Sequence, residues 1–435
     1  MKRVCESEYS ADRITDLPAD VIQRILMYLP IKDAAKTGVL SRKWRCHWRR
    51  IPELVFDDDF AQISSDLAES ESKVMNKQVM LNIYRSLLLH DGRITKFVLS
   101  VPGLIACREI DQIILYLSTK GVQHLKFVFT GGNDEEEGDF QMHSSLFSVS
   151  RLKSLKLQSC EFKPPSWFVG FTNLTRLVLE YVTSPVDFFR DFLPKCPMLE
   201  YFRAIYPDGP AGQLEIVAPF LKSFIFVGYF QNISFKCTPL LSYVVLHLTE
   251  SETPDLVSLF ASLPALEQLY VNNEVMKYLA PSGRNSPTRL PIPLHRLKVL
   301  EMNTLVFDGS PMECVFVSLI MSSPNLHRLT VQLCDQPAGS EVSCLRSLLE
   351  AGDCRGSDCL QHLRKFRIED SRGTQVELDL VRFVLATASL LELIHITPYK
   401  KLGTKKVTKF MKEAIQYKRA SKEAEVRFYW DDDEE

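Results

Sequence analysis

One short apolar phrase recurs along most of this chain and constrains its fold more than any other feature. An apolar residue, two others, a second apolar residue, one other and a third apolar residue follow one another about twelve times. The copies begin at Ile94, Val122, Leu152, Leu174, Leu199, Leu221, Leu241, Leu266, Leu297, Leu326, Leu363 and Leu391. The alternation at the end of the phrase is typical of a strand with one buried side. Starting points 20 to 37 residues apart indicate a repeat array.

Segments with helical spacing precede several copies, and each repeat is therefore predicted to be a helix, a break and a strand. These segments are Val186 to Leu193, Asp255 to Leu263, Glu313 to Met321 and Val376 to Leu385. Prolines stand two residues before five copies, where proline ends a helix and favours an extended approach: Pro197, Pro219, Pro239, Pro264 and Pro324. A single unit cannot bury its apolar side, so we expect an α/β fold whose strands form a parallel sheet on one face of a curved solenoid.

The repeats from Val79 to Leu360 resemble the leucine-rich repeats of F-box proteins. They depart from the strict pattern because the asparagine that usually follows the third apolar position is mostly absent. The resemblance implies that the solenoid is a surface for holding a protein target.

The N-terminal module, from Asp12 to Pro52, is predicted to contain three short helices. Asp16 is the predicted N-cap of the first helix, which should stop before Pro30. A second turn is predicted over Asp33 to Thr37, and a third helix carrying two tryptophans among basic residues is predicted from Ser41. A segment of about forty residues rarely buries a sufficient core alone, which favours a docking role.

The apolar residues and prolines of this module closely resemble the F-box family. The matching stretches are Leu17-Pro18-x-Asp20-Val21-Ile22, Ile25-Leu26-x-x-Leu29-Pro30 and Leu40-Ser41-Arg42-x-Trp44. The resemblance implies binding to a Skp-family adaptor, which links such proteins to a cullin scaffold in SCF ubiquitin ligases. We expect contact or support from Leu17, Pro18, Val21, Ile22, Ile25, Leu26, Leu29, Pro30, Leu40, Trp44 and Trp48. The alternative is a generic helical cap on the solenoid.

The C-terminal section is predicted to alternate strands and helices. The expected elements are a strand over Leu363 to Asp370, a helix from Gly373 to about Thr387, a strand over Leu391 to Ile396, an amphipathic helix over Val407 to Ile415 and a strand over Ala424 to Phe428. This order is similar to the FBD module of plant F-box and leucine-rich-repeat proteins. The expected division is therefore F-box 10–56, solenoid 79–360, FBD-like section 361–430 and acidic tail 431–435.

The amino-acid composition limits which binding partners and which cellular compartment can be expected. A net charge of −2 gives no electrostatic reason to expect a nucleic acid or a membrane. The N-terminus lacks the apolar stretch of a signal peptide, and no apolar run is long enough to span a bilayer. The eleven scattered cysteines suggest reduced, buried core thiols. We expect a location in the cytoplasm or the nucleus.

Candidate chemical sites are weak. Cys354, Cys359 and His362 lack a fourth metal ligand at suitable spacing. The acidic stretch 131–139 lacks the ligand alternation of a calcium loop. The basic run from Lys400 to Lys412 is best explained as the polar side of a packed helix. No cofactor is expected, and no cysteine has a histidine or acidic partner at catalytic spacing.

The leading hypothesis is thus a non-catalytic, substrate-recognition subunit of an SCF-type ubiquitin ligase. The module would bind the adaptor, the solenoid would hold an unidentified protein, and catalysis would occur on other subunits. An adaptor-bound scaffold or small-molecule sensor that does not drive degradation is the alternative. The module and the solenoid are expected to have separate cores, so that alanine at Leu17 and Pro18 would weaken adaptor binding without unfolding the solenoid.

Overall fold

The computed structural model describes the chain in ranges separated by short gaps. They are residue 14, residues 16–39, 41–61, 69–101, residue 104, residues 109–129, 140–185, 187–205, 211–249, 259–279, 293–307, 312–334 and 360–430. The chain divides into two compact units, Met1–Ser184 and Pro185–Glu435. In neither unit does a described helix have the length and apolarity needed to cross a membrane.

Within the described part of the first unit, five parallel strands pair in chain order. They are β1 (Glu53–Phe56), β2 (Lys96–Leu99), β3 (His124–Val128), β4 (Ser154–Glu161) and β5 (Arg176–Thr183). Corresponding positions of neighbouring repeats are directly paired, as in Phe97 with Leu125 and Leu125 with Leu155. The sheet therefore stacks equivalent apolar positions in rows.

The second unit contains nine described strands in one parallel sheet, in the order β6-β8-β10-β11-β12-β13-β14-β15-β16. Their bounds are β6 Tyr201–Ile205, β8 Ser223–Gly228, β10 Tyr243–Leu248, β11 Gln268–Asn272, β12 Val299–Leu305, β13 Arg328–Leu333, β14 Lys365–Ser371, β15 Leu393–Pro398 and β16 Glu425–Phe428. A second, two-stranded parallel sheet pairs β7 (Ala211–Val217) with β9 (Phe230–Lys236).

All twelve copies of the apolar phrase coincide with strands of these sheets, which confirms the predicted parallel repeat. The first apolar residue lies just before its strand, and the second and third point inward and are buried, as Leu297, Leu300 and Met302 illustrate. The structure adds a copy that the sequence analysis assigned to the N-terminal module. Ile51, Leu54 and Phe56 are buried around β1 in the same arrangement.

Described helices lie between most of the strands. They are α1 Ala19–Met27, α2 Ile31–Lys36, α3 Asp58–Ala61, α4 Glu69–Leu89, α5 Glu109–Lys120, α6 Phe188–Phe192, α7 Asn273–Leu279, α8 Met312–Met321, α9 Gln375–Thr387 and α10 Thr404–Gln416. Short 3₁₀ helices span Thr37–Val39, Trp44–Arg50, Ser144–Ser148, Leu193–Lys195 and Leu259–Ser262. The helices predicted before β6, β13 and β15 are thus confirmed, whereas Leu259–Ser262 is the described part of the one predicted before β11.

Three described repeats lack the helix that the predicted unit requires. One lies between β4 and β5, and the other two lie between β6, β8 and β10. The copies at Leu199, Leu221 and Leu241 start only 22 and 20 residues apart, which leaves too little chain for a helix and two turns. The intervening segments form β7 and β9 instead. Their inner residues pack on the main sheet, since the ring of Phe235 lies 5.2 Å from that of Phe224.

The repeated prolines have a more specific role than ending a helix. In each case the residue before the proline accepts a hydrogen bond from the backbone N–H of the first apolar residue, for example Cys196 from Leu199 at 3.1 Å and Ala218 from Leu221 at 3.1 Å. This bond closes a β-turn in which proline occupies the second position, where its fixed φ is favourable. The turn brings the chain back onto the sheet one repeat further along.

The missing asparagine is replaced by a kink in the backbone. Ser159, Tyr181, Thr304 and Asp370 each lie two residues after the third apolar position and have φ between 50° and 58°. This left-handed conformation turns the following residue inward, so that the position usually held by asparagine is buried. Its occupants are Cys160, Val182, Leu305 and Ser371. A cysteine is a recognised alternative at this position of the repeat.

The C-terminal section has the predicted order of elements, β14-α9-β15-α10-β16. Thr374 and Glu377 form a capping box at the start of α9, with a Glu377 carboxylate oxygen 2.7 Å from the Thr374 N–H. On α10, Val407, Phe410 and Ala414 are buried, and the lysines of the basic run are exposed. The run is therefore the polar side of a packed helix, as predicted.

The prediction of buried core thiols is right only in part. Cys160 and Cys196 are buried, whereas Cys46 and Cys237 are exposed. None of these four cysteines belongs to the apolar phrase: Cys160 occupies the buried position after the backbone kink of β4, and Cys196 begins the turn before Leu199.

The inward and outward positions of one strand should differ sharply in their contribution to stability. We expect Leu300→Ala, at a fully buried position of β12, to lower the free energy of unfolding by about 2–5 kcal/mol because it leaves a cavity. Val299→Ala, at the adjacent outward position, should cost less than about 1 kcal/mol. Urea unfolding followed by circular dichroism measures both, and equal losses would contradict the assigned orientation of the strand.

Candidate functional site

The N-terminal module has a small core built from one side of each helix. Ile22 and Leu26 of α1 and Ala34 of α2 are fully buried, and Trp44 and Trp48 are 3% and 9% exposed. The indole N–H of Trp44 donates a hydrogen bond to the carbonyl of Ile14 at 3.2 Å, which satisfies the polar group of a buried ring. The tryptophans therefore support the module from within.

Beside its buried residues, α1 and the turn after it leave large apolar side chains in solvent. Ile25 and Leu29 are 39% and 38% exposed, Met27 is 44% exposed and Tyr28 is 90% exposed. Six of the nineteen exposed large apolar side chains of the described residues lie within residues 14–39, a much higher density than elsewhere. Scattered exposed apolar residues need no explanation, but a concentration of them marks an interaction surface.

The predicted docking residues thus fall into two groups. The buried ones are Ile22, Leu26, Trp44 and Trp48, and the partly or fully exposed ones are Leu17, Pro18, Val21, Ile25, Leu29 and Pro30. Leu40 lies outside the described residues. Val21 and Ile25 lie beside Ile22 and Leu26 on α1, so the apolar side chains of this helix are partly buried in the module and partly exposed.

The N-terminal ends of two helices in the module also differ from prediction. Pro18, and not Asp16, is the N-cap of α1, and no side-chain cap is formed there. The third helix begins at Trp44 and is a 3₁₀ helix rather than an α-helix. Proline at the boundary fixes φ near the helical value, which allows α1 to begin without an acidic cap.

Four exposed apolar residues were not singled out from the sequence: Ile14, Met27, Tyr28 and Val39. A signal for two of them exists. Residues 25–29 are five consecutive apolar residues, and one helical turn cannot bury all of them. Such a run predicts that some of its members face solvent or a partner.

The module is joined to the first repeats by backbone hydrogen bonds and lies with them in one compact unit. The carbonyl of Arg49 accepts hydrogen bonds from the N–H groups of Asp91 and Gly92 at 3.0 and 3.2 Å. The carbonyl of Pro52 accepts one from Thr95 at 2.8 Å, and the chain then runs directly into β1. Strand pairing requires the end of the module to be part of the sheet, so the module is held rigidly on the first unit.

His90 joins the same boundary. It is 4% exposed, and its Nε2–H donates to the carbonyl of Ile51 at 2.8 Å. Its Nδ1 is buried and has no hydrogen-bond partner among the described residues. Burial lowers the pKa of His90, and the bond to Ile51 acts in the opposite direction. The neutral imidazole is the form that fits this site.

Candidate chemical centres gain no support. No group of three or more histidine, cysteine or acidic side chains in the described ranges is arranged to hold a metal ion. Cys354, Cys359 and the stretch 131–139 lie outside the described residues. Arg42, Lys43 and Arg45 of the module are exposed on the same segment as the two buried tryptophans.

The comparisons with known proteins agree with this organisation. A family model for the F-box domain matches residues 14–55, and a family model described as the LRR repeats of the FBD-associated F-box protein At5g56370 matches residues 110–331. The F-box/FBD/LRR-repeat protein At1g13570 of Arabidopsis thaliana is 32% identical over 97% of this chain and 99% of its own length. The putative F-box/FBD/LRR-repeat protein At1g66290 of the same plant is 29% identical over 52% of this chain and 48% of its own length.

The close contact between the module and the following loop makes a steric prediction. A Cβ at Gly92 would lie 2.9 Å from the Cα of Arg50 and 3.2 Å from its carbonyl oxygen, so one backbone must move. We expect Gly92→Ser to cost about 1–3 kcal/mol of stability. Gly403→Ser is the matched control, because a Cβ at Gly403 meets nothing within 4 Å and serine is a good N-cap for α10. Equal thermal midpoints for the two variants would contradict the contact.

The buried His90 predicts a dependence of stability on pH. The histidine of the unfolded chain keeps a pKa near its ordinary value of 6.5, and the folded value is lower. Below that ordinary value the unfolded state binds more protons, so stability falls as the pH drops from 7.5 toward the lowered pKa. Replacement of His90 by glutamine, which preserves a donor to Ile51, should reduce this loss in urea unfolding at several pH values. An unchanged slope of stability against pH would show that other groups cause the loss of stability. His247 is one such group, because burial also lowers its pKa.

Proposed function

Because the chain belongs to the F-box/FBD/LRR-repeat family, we propose that it is the substrate-recognition subunit of an SCF-type ubiquitin ligase. The F-box would bind a Skp-family adaptor, and the adaptor would connect the chain to a cullin scaffold. The leucine-rich repeats would hold a protein target, and ubiquitin transfer would be performed by other subunits. The chain itself would be non-catalytic.

The observation that carries this proposal is the exposed apolar surface of α1 and the turn after it. An exposed isoleucine, methionine, tyrosine and leucine lie within residues 25–29, and a fifth apolar side chain of the turns, Val39, is 90% exposed. Burial of such side chains against a partner stabilises a complex by about 1.5–3 kcal/mol for each side chain that is fully covered. A helical cap on a solenoid would need none of them in solvent.

The two groups of docking residues would act differently. The partly or fully exposed group, with Ile25 and Leu29 at its centre, would contact the adaptor. The buried group would hold α1 in position, because Ile22 and Leu26 anchor it against the tryptophans. Loss of binding after a change at Trp48 would therefore report misfolding of the module as readily as a lost contact.

The attachment of the module supports the same function. A receptor has to hold its target at a defined position relative to the ligase, and a flexible linker would not do so. The hydrogen bonds from Asp91, Gly92 and Thr95 to the end of the module fix the F-box on the first repeats. Hence a Leu17 and Pro18 double variant must be checked for stability before its adaptor binding is interpreted.

Adaptor binding by matched surface variants tests the proposal. We expect the double variant Ile25→Ala/Leu29→Ala to bind a Skp-family adaptor about 30- to 1,000-fold more weakly, since it removes two anchors of about 1–2 kcal/mol each. The measurement is titration calorimetry with the full-length chain, together with circular dichroism to show that the fold is retained.

The control is Leu81→Ala/Leu88→Ala on α4, where the two leucines are 43% and 82% exposed but lie outside the F-box. It should bind the adaptor like the original chain. Equal affinity of the two double variants would argue against docking through α1. Co-purification with a cullin separates the ligase subunit from the scaffold alternative, since a scaffold that does not drive degradation has no need of cullin in the complex.

A further inference from the structure

The outward positions of the second-unit strands β6, β8, β10 and β11 form an unusual surface. These are the residues before, between and after the two inward positions of each strand, and registers place them in rows: Tyr201, Arg203, Ile205, Ser223, Ile225, Val227, Tyr243, Val245, His247, Gln268, Tyr270 and Asn272. Seven of the twelve are aliphatic or aromatic, and one carries a permanent charge. We call them the apolar strand face.

Other strands of the chain do not share this composition. The equivalent outward positions of β3, β4 and β5 are His124, Lys126, Val128, Ser154, Lys156, Gln158, Arg176, Val178 and Glu180. Seven of these nine are polar or charged, as expected where a sheet faces water. The apolar strand face is therefore a local feature of the second unit and not a property of the repeat.

The side chains of this face are only half-buried, and part of their surface remains available. The rings of Tyr243 and Tyr270 lie 5.2 Å apart on adjacent strands, and burial raises the pKa of both hydroxyls. His247 is half-buried beside them, and its Nε2 has no hydrogen-bond partner among the described residues. Aromatic side chains with a polar tip are the residues that most often anchor protein interfaces.

The charge next to this face is positive. Arg328 and Lys365 are paired in register on β13 and β14, both are exposed, and neither forms an ion pair with a described residue. Two like charges at directly opposite positions repel each other unless an anion lies between them. The nearby Arg367 is 3.2 Å from Glu369, and Glu301 is the one carboxylate that separates the apolar strand face from the two cations.

We propose that the apolar strand face and the neighbouring cations Arg328 and Lys365 bind one segment of the protein target, in which apolar side chains are followed by a run of carboxylates. The apolar side chains cover Ile225, Val245 and Tyr270, and the carboxylates lie between the two cations. This proposal rests on the proposed function, because it names the chemistry of the target that the repeats hold. It places recognition on β6 to β14 of the second unit.

Defined peptides test the proposal directly. Three fluorescein-labelled peptides share one core of alternating phenylalanine and leucine and differ in a following run of glutamate, serine or lysine. Fluorescence anisotropy with the full-length chain should show at least tenfold tighter binding of the glutamate peptide than of the lysine peptide. The preference should weaken as salt is added, because exposed charges are screened.

Matched variants assign the binding to this face. Val245→Asp should weaken binding of the glutamate peptide at least tenfold, and Val245→Thr, which keeps the β-branched shape, should weaken it less. Val128→Asp, at an outward position of β3, is the control for the first change. Arg328→Glu/Lys365→Glu should abolish the preference for glutamate over lysine, whereas Lys126→Glu should preserve it.

Four results would overturn the proposal. The first three are equal affinity for the three peptides, equal losses in the control variants, and no saturable binding up to about 1 mM peptide. A chain that is dimeric by light scattering and becomes monomeric on Val245→Asp would show that a second copy covers this face, which also overturns it. Adaptor binding is measured on different residues, so a failed peptide test leaves the assignment of the F-box to its own experiment.

Discussion

The structure depends on the inability of any one repeat to bury its own apolar side. Each strand contributes two inward side chains and one more from the preceding turn, and these are covered only when neighbouring strands supply the same three positions. Backbone pairing has the same consequence, since the N–H and carbonyl groups of a strand are satisfied by the strands on either side. Register and core are thus fixed together, which explains why Phe97, Leu125 and Leu155 are stacked at equal height.

An array of this kind must be protected where it begins and where it ends. The N-terminal module provides one protection, because α2 and α3 pack on β1 and the chain continues from Trp48 into the sheet. At the other end β15 is the one described strand that pairs with β16, whose outward positions Glu425 and Arg427 form an ion pair. Charged side chains on an edge strand disfavour pairing with another chain. The F-box therefore has a structural role beside its proposed binding role, because it lies against the first strand of the sheet.

Much of the fold follows from the sequence because its signal is repeated. A phrase such as Leu326-Leu329-Val331 is ambiguous alone, but twelve copies specify strands, a parallel sheet and a common inward side. The C-terminal section could be predicted equally well, because its apolar residues recur every two residues in the strands and about every four residues in the helices. β7 and β9 could not be predicted, because the alternation over Leu214 and Ile216 could as well belong to a loop. Only the short spacing of the neighbouring copies excludes a helix there.

Other features depend on competition between residues that the sequence leaves undecided. Residues 25–29 are all apolar, and packing against Trp44 and Trp48 decides that Leu26 is buried and Ile25 is exposed. Thr304 adopts a left-handed φ of 58° although a β-branched residue disfavours it by about 1–2 kcal/mol. The burial of Leu305 at the next position offsets that cost. In both cases burial of an apolar side chain in the tertiary structure overrides the local preference.

Folding places few requirements on the residue types at the outward positions of the repeat. Isoleucine and valine are favoured in any strand, so their presence at Ile225 and Val227 could reflect strand preference alone. The same backbone arrangement in β3 and β4 nevertheless carries Lys126, Lys156 and Gln158 at its outward positions. Strand formation therefore does not require apolar residues at the outward positions. Apolar side chains exposed there are unfavourable in water, so their presence needs a further explanation. The proposed contact with a target segment would supply that explanation, and it would also involve Arg328 and Lys365, which form no ion pair with a described residue.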